Sequence, residues 1–257
     1  MSTSQERLHK YHLNINRTKT ERFTVPEPLP PPTKPKINLI QWSDLDWTLP
    51  SNTEIPTPAW KNMKILGTHI DTETDIKHRK AKAMYALTSN NHIFKSGKIS
   101  TKLKLKVFEC YVSSAFLYNS ETWSLTPTQE EQIDAFHRKL LRYALNIRYP
   151  KIISNEKLYD ITKAQPWSKV IKRRRLNTTG HILRLPENTP IRESLKEASK
   201  PSVKHRGGQR NTWLKTIHKD LKPVLSTSTP SEHLTEMTTL AQDRNVWRGV
   251  ARSVMSN

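Results

Sequence analysis

The chain has 257 residues, of which 34% are hydrophobic, and 43 Lys and Arg against 23 Asp and Glu give a formal net charge of +20. This balance argues against an ordinary soluble enzyme and indicates a polyanionic partner, with nucleic acid favoured over an anionic membrane surface. The single cysteine, Cys110, excludes an intrachain disulfide and a cysteine-based zinc site. Because no secretory signal or long apolar run is found, we expect an intracellular protein of the cytoplasm or nucleus, not secreted and without membrane association.

The first 71 residues show little helical periodicity. Leu13 and Ile15 alternate with polar neighbours, as do Phe23 and Val25, which predicts one or two short strands. Residues 26–36 read PEPLPPPTKPK, where the prolines fix φ and remove hydrogen-bond donors. This stretch predicts a linker or a loop.

Helical periodicity begins near residue 72, where Ile76, Ala83 and Leu87 recur at helical offsets. Ser100 is then the expected N-cap of a helix over TKLKLKVFECYVSSAFLY. The predicted inner stripe of that helix consists of Leu103, Val107, Cys110, Tyr111, Ser114, Leu117 and Tyr118.

The clearest helix start follows Thr126, which is the expected N-cap, with Pro127 at the first helical position and Gln129 completing a capping box. The stripe predicted for this helix consists of Ile133, Phe136, Leu140, Leu141 and Ala144. Four further helices are predicted after Ser154, within residues 170–186, from Gln209 to Leu221 and from Glu232 to Met255.

The segment VIKRRRLNTTGHILRLP, residues 170–186, carries the densest basic cluster. On a helix, three successive arginines span roughly 200°, so they cannot all lie on one solvated face. At least one must approach the packed side, where it needs a carboxylate or an external anion. Residues 169–222 contain 15 Lys or Arg against 4 Asp or Glu, so few internal partners are at hand. Phosphate contact and a solvated helix face both remain open interpretations.

The stripe predicted to pack consists of Leu176, Thr179, Gly180 and Leu183, with Gly180 permitting close helix approach.

Two other groups of residues could carry chemistry. Asp44 and Asp46 in WSDLDW would share one face of a strand, as metal-binding acids do, but a solvated loop among prolines is favoured. His181 lacks a nearby histidine at metal-ligand spacing, so packing or a polar contact is favoured over catalysis. We therefore predict no catalytic residue and no metal site.

Nine ordered blocks of sequence carry a resemblance to a known family. They are LNINRTKTE (13–21), KILGTHID (64–71), DIKHRKAKA (75–83), KISTKLKLKVFECYVSSAFLYNSETWSLT (98–126), FHRKLLRYALNI (136–147), ISNEKLYDIT (153–162), KRRRLNTTGHILRLP (172–186), RGGQRNTWLKTIHKDL (206–221) and AQDRNVWRGVA (241–251). This succession resembles the C-terminal half of non-LTR (LINE-type) retrotransposon reverse transcriptases, and it covers nearly the whole chain.

The resemblance implies a mainly α fold in three parts. Residues 1–71 would be a short irregular or β palm remnant with the Pro-rich linker, residues 72–150 a thumb-like helical bundle, and residues 151–257 a basic helical C-terminal extension. The residues expected to contact RNA or DNA phosphates are Arg79, Lys80, Lys82, Lys98, Lys102 and Lys104 in the thumb, and Lys172, Arg173, Arg174, Arg175, Arg184, Arg206 and Arg210 in the extension.

The chain departs from the family pattern where catalysis would occur. It contains no Tyr/Phe-x-Asp-Asp turn, and Asp44 and Asp46 come after the block that should follow the catalytic aspartates. We therefore expect nucleic-acid binding without polymerase activity and no cofactor in this chain, since Mg²⁺ would belong to the missing catalytic half. Two alternatives stay open: a reverse transcriptase whose catalytic half is encoded upstream, and a decayed, non-functional remnant.

Overall fold

Helices dominate the structure, a computed structural model that describes residues 63–200, 211–225 and 230–256. The mainly α prediction is confirmed. The predicted strands before residue 26, the Pro-rich stretch, Asp44 and Asp46 lie outside the described residues. The chain forms two compact units, residues 1–75 and 76–257.

The described part of the first unit is a small hairpin followed by a helix start. Strands β1 (Lys64–Ile65) and β2 (Thr68–His69) pair antiparallel. The two-residue turn between them has φ of 49° at Leu66 and 79° at Gly67, the left-handed pair that suits the twist of a hairpin. Asp71 then accepts the backbone N–H of Thr74 at 2.9 Å, which satisfies a donor at the start of the first helix.

The second unit begins within helix α1 (Thr72–Ser89) and continues through α2 (Asn91–Lys95) and α3 (Thr101–Val107). A π-helical segment (Phe108–Ser113), α4 (Ser114–Leu117), a 3₁₀ turn (Ser120–Thr122), α5 (Pro127–Ala144) and α6 (Asn155–Thr162) follow. The predicted caps are confirmed at Ser100 and in the complete capping box of Thr126 and Gln129. The helix predicted after Ser154 is also present, and the Ser154 side chain caps it. Local sequence therefore determines where these helices begin.

Five helices complete the described chain: α7 (Trp167–Leu183), α8 (Pro190–Ser199), α9 (Trp213–Leu221), α10 (Pro230–Gln242) and α11 (Arg244–Ser256). Helix α8 was not predicted. The single helix predicted from Glu232 to Met255 is wrong, because Asp243 interrupts it. The Asp243 Oδ1 accepts the Asn245 N–H at 2.7 Å and so starts a new helix.

Two hydrophobic clusters form the core of the second unit. The first extends from Ile76 to Ile171 and includes stacked rings of Phe116 and Trp167, whose centroids lie 4.2 Å apart. The second extends from Leu176 to Val254. Helix α7 contributes to both clusters. The predicted division of the chain at residue 150 stays a prediction.

The inner stripe predicted for residues 101–118 is largely wrong. Leu117 is buried, but Leu103, Tyr111 and Tyr118 are exposed, as are Cys110 and Ser114. The predicted face is already wrong at Leu103, and from Phe108 onward the π-helical segment, with more residues per turn than an α-helix, shifts further which side chains face inward. The residues that pack inward are Phe108, Val112, Ser113, Phe116 and Leu117.

The stripe predicted for α7 is confirmed, since Leu176, Thr179, Gly180 and Leu183 are all buried. A Cβ at Gly180 would overlap the ring of Trp247, so only glycine allows α11 to approach α7 this closely. The Trp247 indole N–H donates to the Leu176 carbonyl at 2.9 Å. This contact fixes α11 against α7.

Candidate nucleic-acid interface

Arg175, in the middle of α7, is fully buried and ion-paired. Its Nε and Nη2 donate to Oδ2 of Asp220 on α9 at 2.9 and 2.7 Å, and Nη1 donates to the Trp123 carbonyl at 2.9 Å. The expectation that one arginine of this cluster turns inward and needs an anion is confirmed, with Asp220 as the anion. The assignment of Arg175 as a phosphate contact is corrected, because protein acceptors occupy its guanidinium group.

The three neighbouring cations differ in exposure. Arg174 is half-buried and its Nη1 donates to the Leu117 carbonyl at 2.6 Å. The Lys172 side chain is 30% exposed, with Nζ 3.8 Å from Oδ1 of Asp220. Arg173 is exposed, and its Nη1 lies 3.5 Å from Oε1 of Gln165. Arg173 is therefore the member of the run KRRR best placed to meet an external phosphate.

Residues 117–125, which contain the SETW block, connect α7 with α9. The Trp213 indole N–H donates to the Glu121 carbonyl at 2.7 Å, and the Asn211 amide donates to the Leu125 carbonyl at 3.0 Å. Arg174 and Arg175 donate to carbonyls of the same segment. The KRRR, SETW and NTW blocks are thus joined by hydrogen bonds, and two of the arginines act as structural donors.

A second acid, Glu130 on α5, lies close to the buried ion pair. Burial raises the pKa of the Glu130 carboxyl, and the negative charge of Asp220 raises it further, while Arg175, Lys219 and Lys172 act in the opposite direction. The Glu130 carboxyl beside the ion pair of Arg175 and Asp220 is therefore costly to ionise.

The thumb residues predicted from the resemblance divide in the same way. Arg79 is buried, with its guanidinium carbon 4.5 Å from the centre of the Tyr118 ring, so its assignment as a phosphate contact is also corrected. Lys80 is half-buried, with Nζ 5.7 Å from the centre of the Phe136 ring. Both side chains pack on aromatic faces, which favour cations.

The other predicted thumb residues stay accessible. Lys82 on α1, Lys98 before α3 and Lys102 on α3 are exposed, and Lys104 is half-buried. Arg206 and Arg210 lie outside the described residues. The role of these cations in nucleic-acid binding stays a prediction.

Three arginines come together where α7 ends and α11 begins. Arg184 follows α7, where a cation is favourable beside the helix C-terminus, and its Nη1 donates to the Ala241 carbonyl at 3.1 Å. Arg244 and Arg248 are exposed on α11 at a spacing of one helical turn. Burial, followed by the charges of Arg244 and Arg248, lowers the pKa of Arg184. We call Arg184, Arg244 and Arg248 the arginine cluster.

No carboxylate of the described chain lies within ion-pair distance of the arginine cluster. The predicted set included Arg184 and missed Arg244 and Arg248. Their spacing on either side of Trp247 in RNVWRGVAR was an available signal, because residues four apart share one helix face. The pairing of Asp220 was also missed, although Asp220 falls beside Ile217 and Leu221 on the buried face of α9.

His181 and His137 lie in opposite environments. His181 is exposed, which contradicts packing, while the alternative of a polar contact stays a prediction. His137 is buried against Trp167, with ring centroids 4.4 Å apart, and burial together with the charge of Arg138 lowers its pKa to about 3. Within the described ranges, no three His, Cys, Asp or Glu side chains are close enough to hold a metal ion.

No helix in the described ranges combines the length and apolar character that a membrane span requires.

In comparison with known proteins, 199 residues of the chain are 20% identical to a transposon-derived protein of Caenorhabditis elegans, covering 75% of this chain and 70% of that relative. No protein-family model matches the chain, and no solved structure does. The similarity indicates a transposon-related origin.

Proposed function

We propose that this chain is a nucleic-acid-binding C-terminal portion of a non-LTR retrotransposon reverse transcriptase, and that it binds RNA or DNA without catalysing polymerisation itself. The similarity to a transposon-derived protein supports the retroelement origin. The net charge of +20 supports a polyanionic partner.

The arginine cluster is the observation that carries the proposal. Elsewhere in the fold, a deeply buried arginine such as Arg175 is neutralised by Asp220. Arg184 instead lies within electrostatic range of Arg244 and Arg248, which are both exposed. Bringing like charges together is unfavourable without a counterion. A phosphate backbone supplies regularly spaced negative charge, and arginine binds phosphate through paired hydrogen bonds.

The test measures how binding depends on salt. The full chain is titrated by fluorescence anisotropy with a labelled 20-base-pair duplex of mixed sequence at several salt concentrations, for the natural chain and for the double variant R244Q/R248Q. Each phosphate contact contributes about 0.9 to the slope of log K against log salt, so the variant should bind more weakly with a slope reduced by about 2.

The control is the double variant K196Q/K222Q, which removes the same charge from exposed positions on α8 and after α9. It should change the slope by less than R244Q/R248Q does. Equal effects of the two variants would show that total charge, and not the arginine cluster, determines binding. A natural chain with no affinity for either double-stranded or single-stranded nucleic acid at low salt would overturn the proposal itself.

A further inference from the structure

The turn between α5 and α6, residues 146–153, has a defined geometry. The Ile147 N–H donates to the Arg142 carbonyl at 2.9 Å, and the Lys151 N–H donates to the Arg148 carbonyl at 2.9 Å. Arg142 also holds the far end of the turn, since its Nη2 donates to the Ile153 carbonyl at 3.1 Å. The backbone at both ends is therefore attached to α5.

The tip of this turn presents apolar side chains to solvent. Tyr149 is 90% exposed and Ile152 is 85% exposed, among the most exposed large hydrophobic residues of the described chain. Neither is needed for the core. An aromatic ring held away from the protein on an anchored turn has both of its faces open to a flat partner.

The surroundings of Tyr149 are strongly basic. Arg148 and Lys151 are exposed on either side of it in sequence. Beside the turn lies a shallow pocket of about 550 Å³, lined by Ala135, Lys139, Arg142, Tyr143, Ile147 and Arg148. All charged residues of the turn and of this pocket lining are cations, and neither contains an Asp or Glu.

Within the pocket, the guanidinium group of Arg148 lies 5.6 Å from the centre of the Tyr143 ring. That ring is itself fixed, because the Tyr143 hydroxyl donates to Oδ1 of Asn91 at 3.1 Å. Arg148 is therefore supported on an aromatic face, while its charge remains available at the protein surface.

We propose that Tyr149 stacks on an unpaired base of single-stranded nucleic acid, while Arg148, Lys151 and Lys139 contact the phosphates that flank this base. An exposed aromatic ring within a cationic groove is the combination that binds single strands without sequence preference. A protein partner is less well matched, because that partner would need an apolar pocket to receive Tyr149 and a strongly acidic surface around it to meet the cations. The inference rests on the proposed function and assigns one surface to single strands.

The experiment compares a labelled 20-nucleotide oligo(dT) with the 20-base-pair duplex, using anisotropy and the full chain. Tyr149→Ala should weaken binding to oligo(dT) about tenfold, a typical effect for one stacked base. It should leave duplex binding unchanged, because the bases of a duplex are already stacked on one another. Tyr149→Phe keeps the ring and should bind oligo(dT) as the natural chain does.

Tyr111→Ala is the matched control, since Tyr111 is an exposed tyrosine of the π-helical segment. It should change neither affinity. Arg148→Gln should reduce the salt slope for oligo(dT) by about 0.7, the contribution of one phosphate contact on a single strand. Thermal melts of all variants should coincide, because these side chains are exposed.

Unchanged oligo(dT) binding by Tyr149→Ala, or an equal loss for both ligands, would overturn the stacking site. In either case the natural chain would still bind the duplex, and the proposed function would stand. A natural chain that binds neither ligand at low salt would overturn both proposals.

Discussion

Helix α7 places arginines in two opposite settings. In its middle, Arg175 is buried and hydrogen-bonded to Asp220 and to the Trp123 carbonyl. At its C-terminal end, Arg184 lies with Arg244 and Arg248, and no described carboxylate pairs with them. The same residue type thus stabilises the fold at one position and presents charge at the other.

The difference shows why a count of basic residues overstates a binding surface. Arg79 and Arg175 contribute to the net charge, yet both are buried within the protein. At long range their charge would still attract a polyanion, but their buried guanidinium groups are not accessible at the surface for a direct phosphate contact. Tests of binding belong on exposed arginines, and tests of stability on buried ones.

The largest effect is expected when the partner of Arg175 is neutralised. Asp220→Asn keeps the size of the side chain and leaves the guanidinium group as a buried, uncompensated charge. We expect a loss of about 3 to 5 kcal/mol in the free energy of unfolding, measured by urea denaturation. The double variant R175M/D220L should lose less than Asp220→Asn, because no charge is left unpaired.

Arg173→Gln is the control for this prediction, since Arg173 is the exposed neighbour on the same helix. It should change stability by no more than about 0.5 kcal/mol. An effect of Asp220→Asn as small as that of Arg173→Gln would break the comparison, because Arg175 would then behave as a surface residue.

An intermediate effect is expected at Gly180, which lies between the two settings on α7. Gly180→Ala places a methyl group against the Trp247 ring and should cost about 1 to 3 kcal/mol of stability in the same denaturation experiment. Because Trp247 lies between Arg244 and Arg248, the substitution should also disturb the arginine cluster.

Gly249→Ala is the matched control on α11, where the added methyl group meets open space. It should stabilise the protein by up to about 1 kcal/mol, because alanine is the better helix former. Equal effects of the two substitutions would mean that α11 does not approach α7 at Gly180.

The fold could be predicted where the signal is local. The capping box of Thr126 and Gln129 and the packed stripe of α7 follow from short-range spacing, and both are confirmed. The stripe predicted over residues 101–118 was wrong from its first residue, since Leu103 is exposed, and the π-helical segment after it alters the period further without an evident marker in the sequence. The helix break at Asp243 was not predicted, because apolar residues continue at helical spacing on both sides of it.

The candidate site was predictable only in part. The span of three arginines on a helix required one of them to turn inward, but it did not say which one or toward which acid. That choice depends on Asp220, 45 residues further along the chain, and on the Trp123 carbonyl. The arginine cluster likewise joins residues about 60 positions apart, so it exists only after α11 packs on α7.

The smallest effect is expected at Glu130, beside the buried ion pair. Its folded-state pKa is raised, so the protonated form stabilises the fold fully below the unfolded pKa of 4.5. That stability is lost as the pH rises through the raised folded pKa. Glu130→Gln removes this loss and should raise the melting temperature at pH 7, with little difference at pH 4. Glu131→Gln, an exposed change on the same helix, controls for the lost charge near the helix N-terminus and should give no such gain. A lower melting temperature of Glu130→Gln at pH 7 would instead mean that ionised Glu130 supports the charge of Arg175 alongside Asp220.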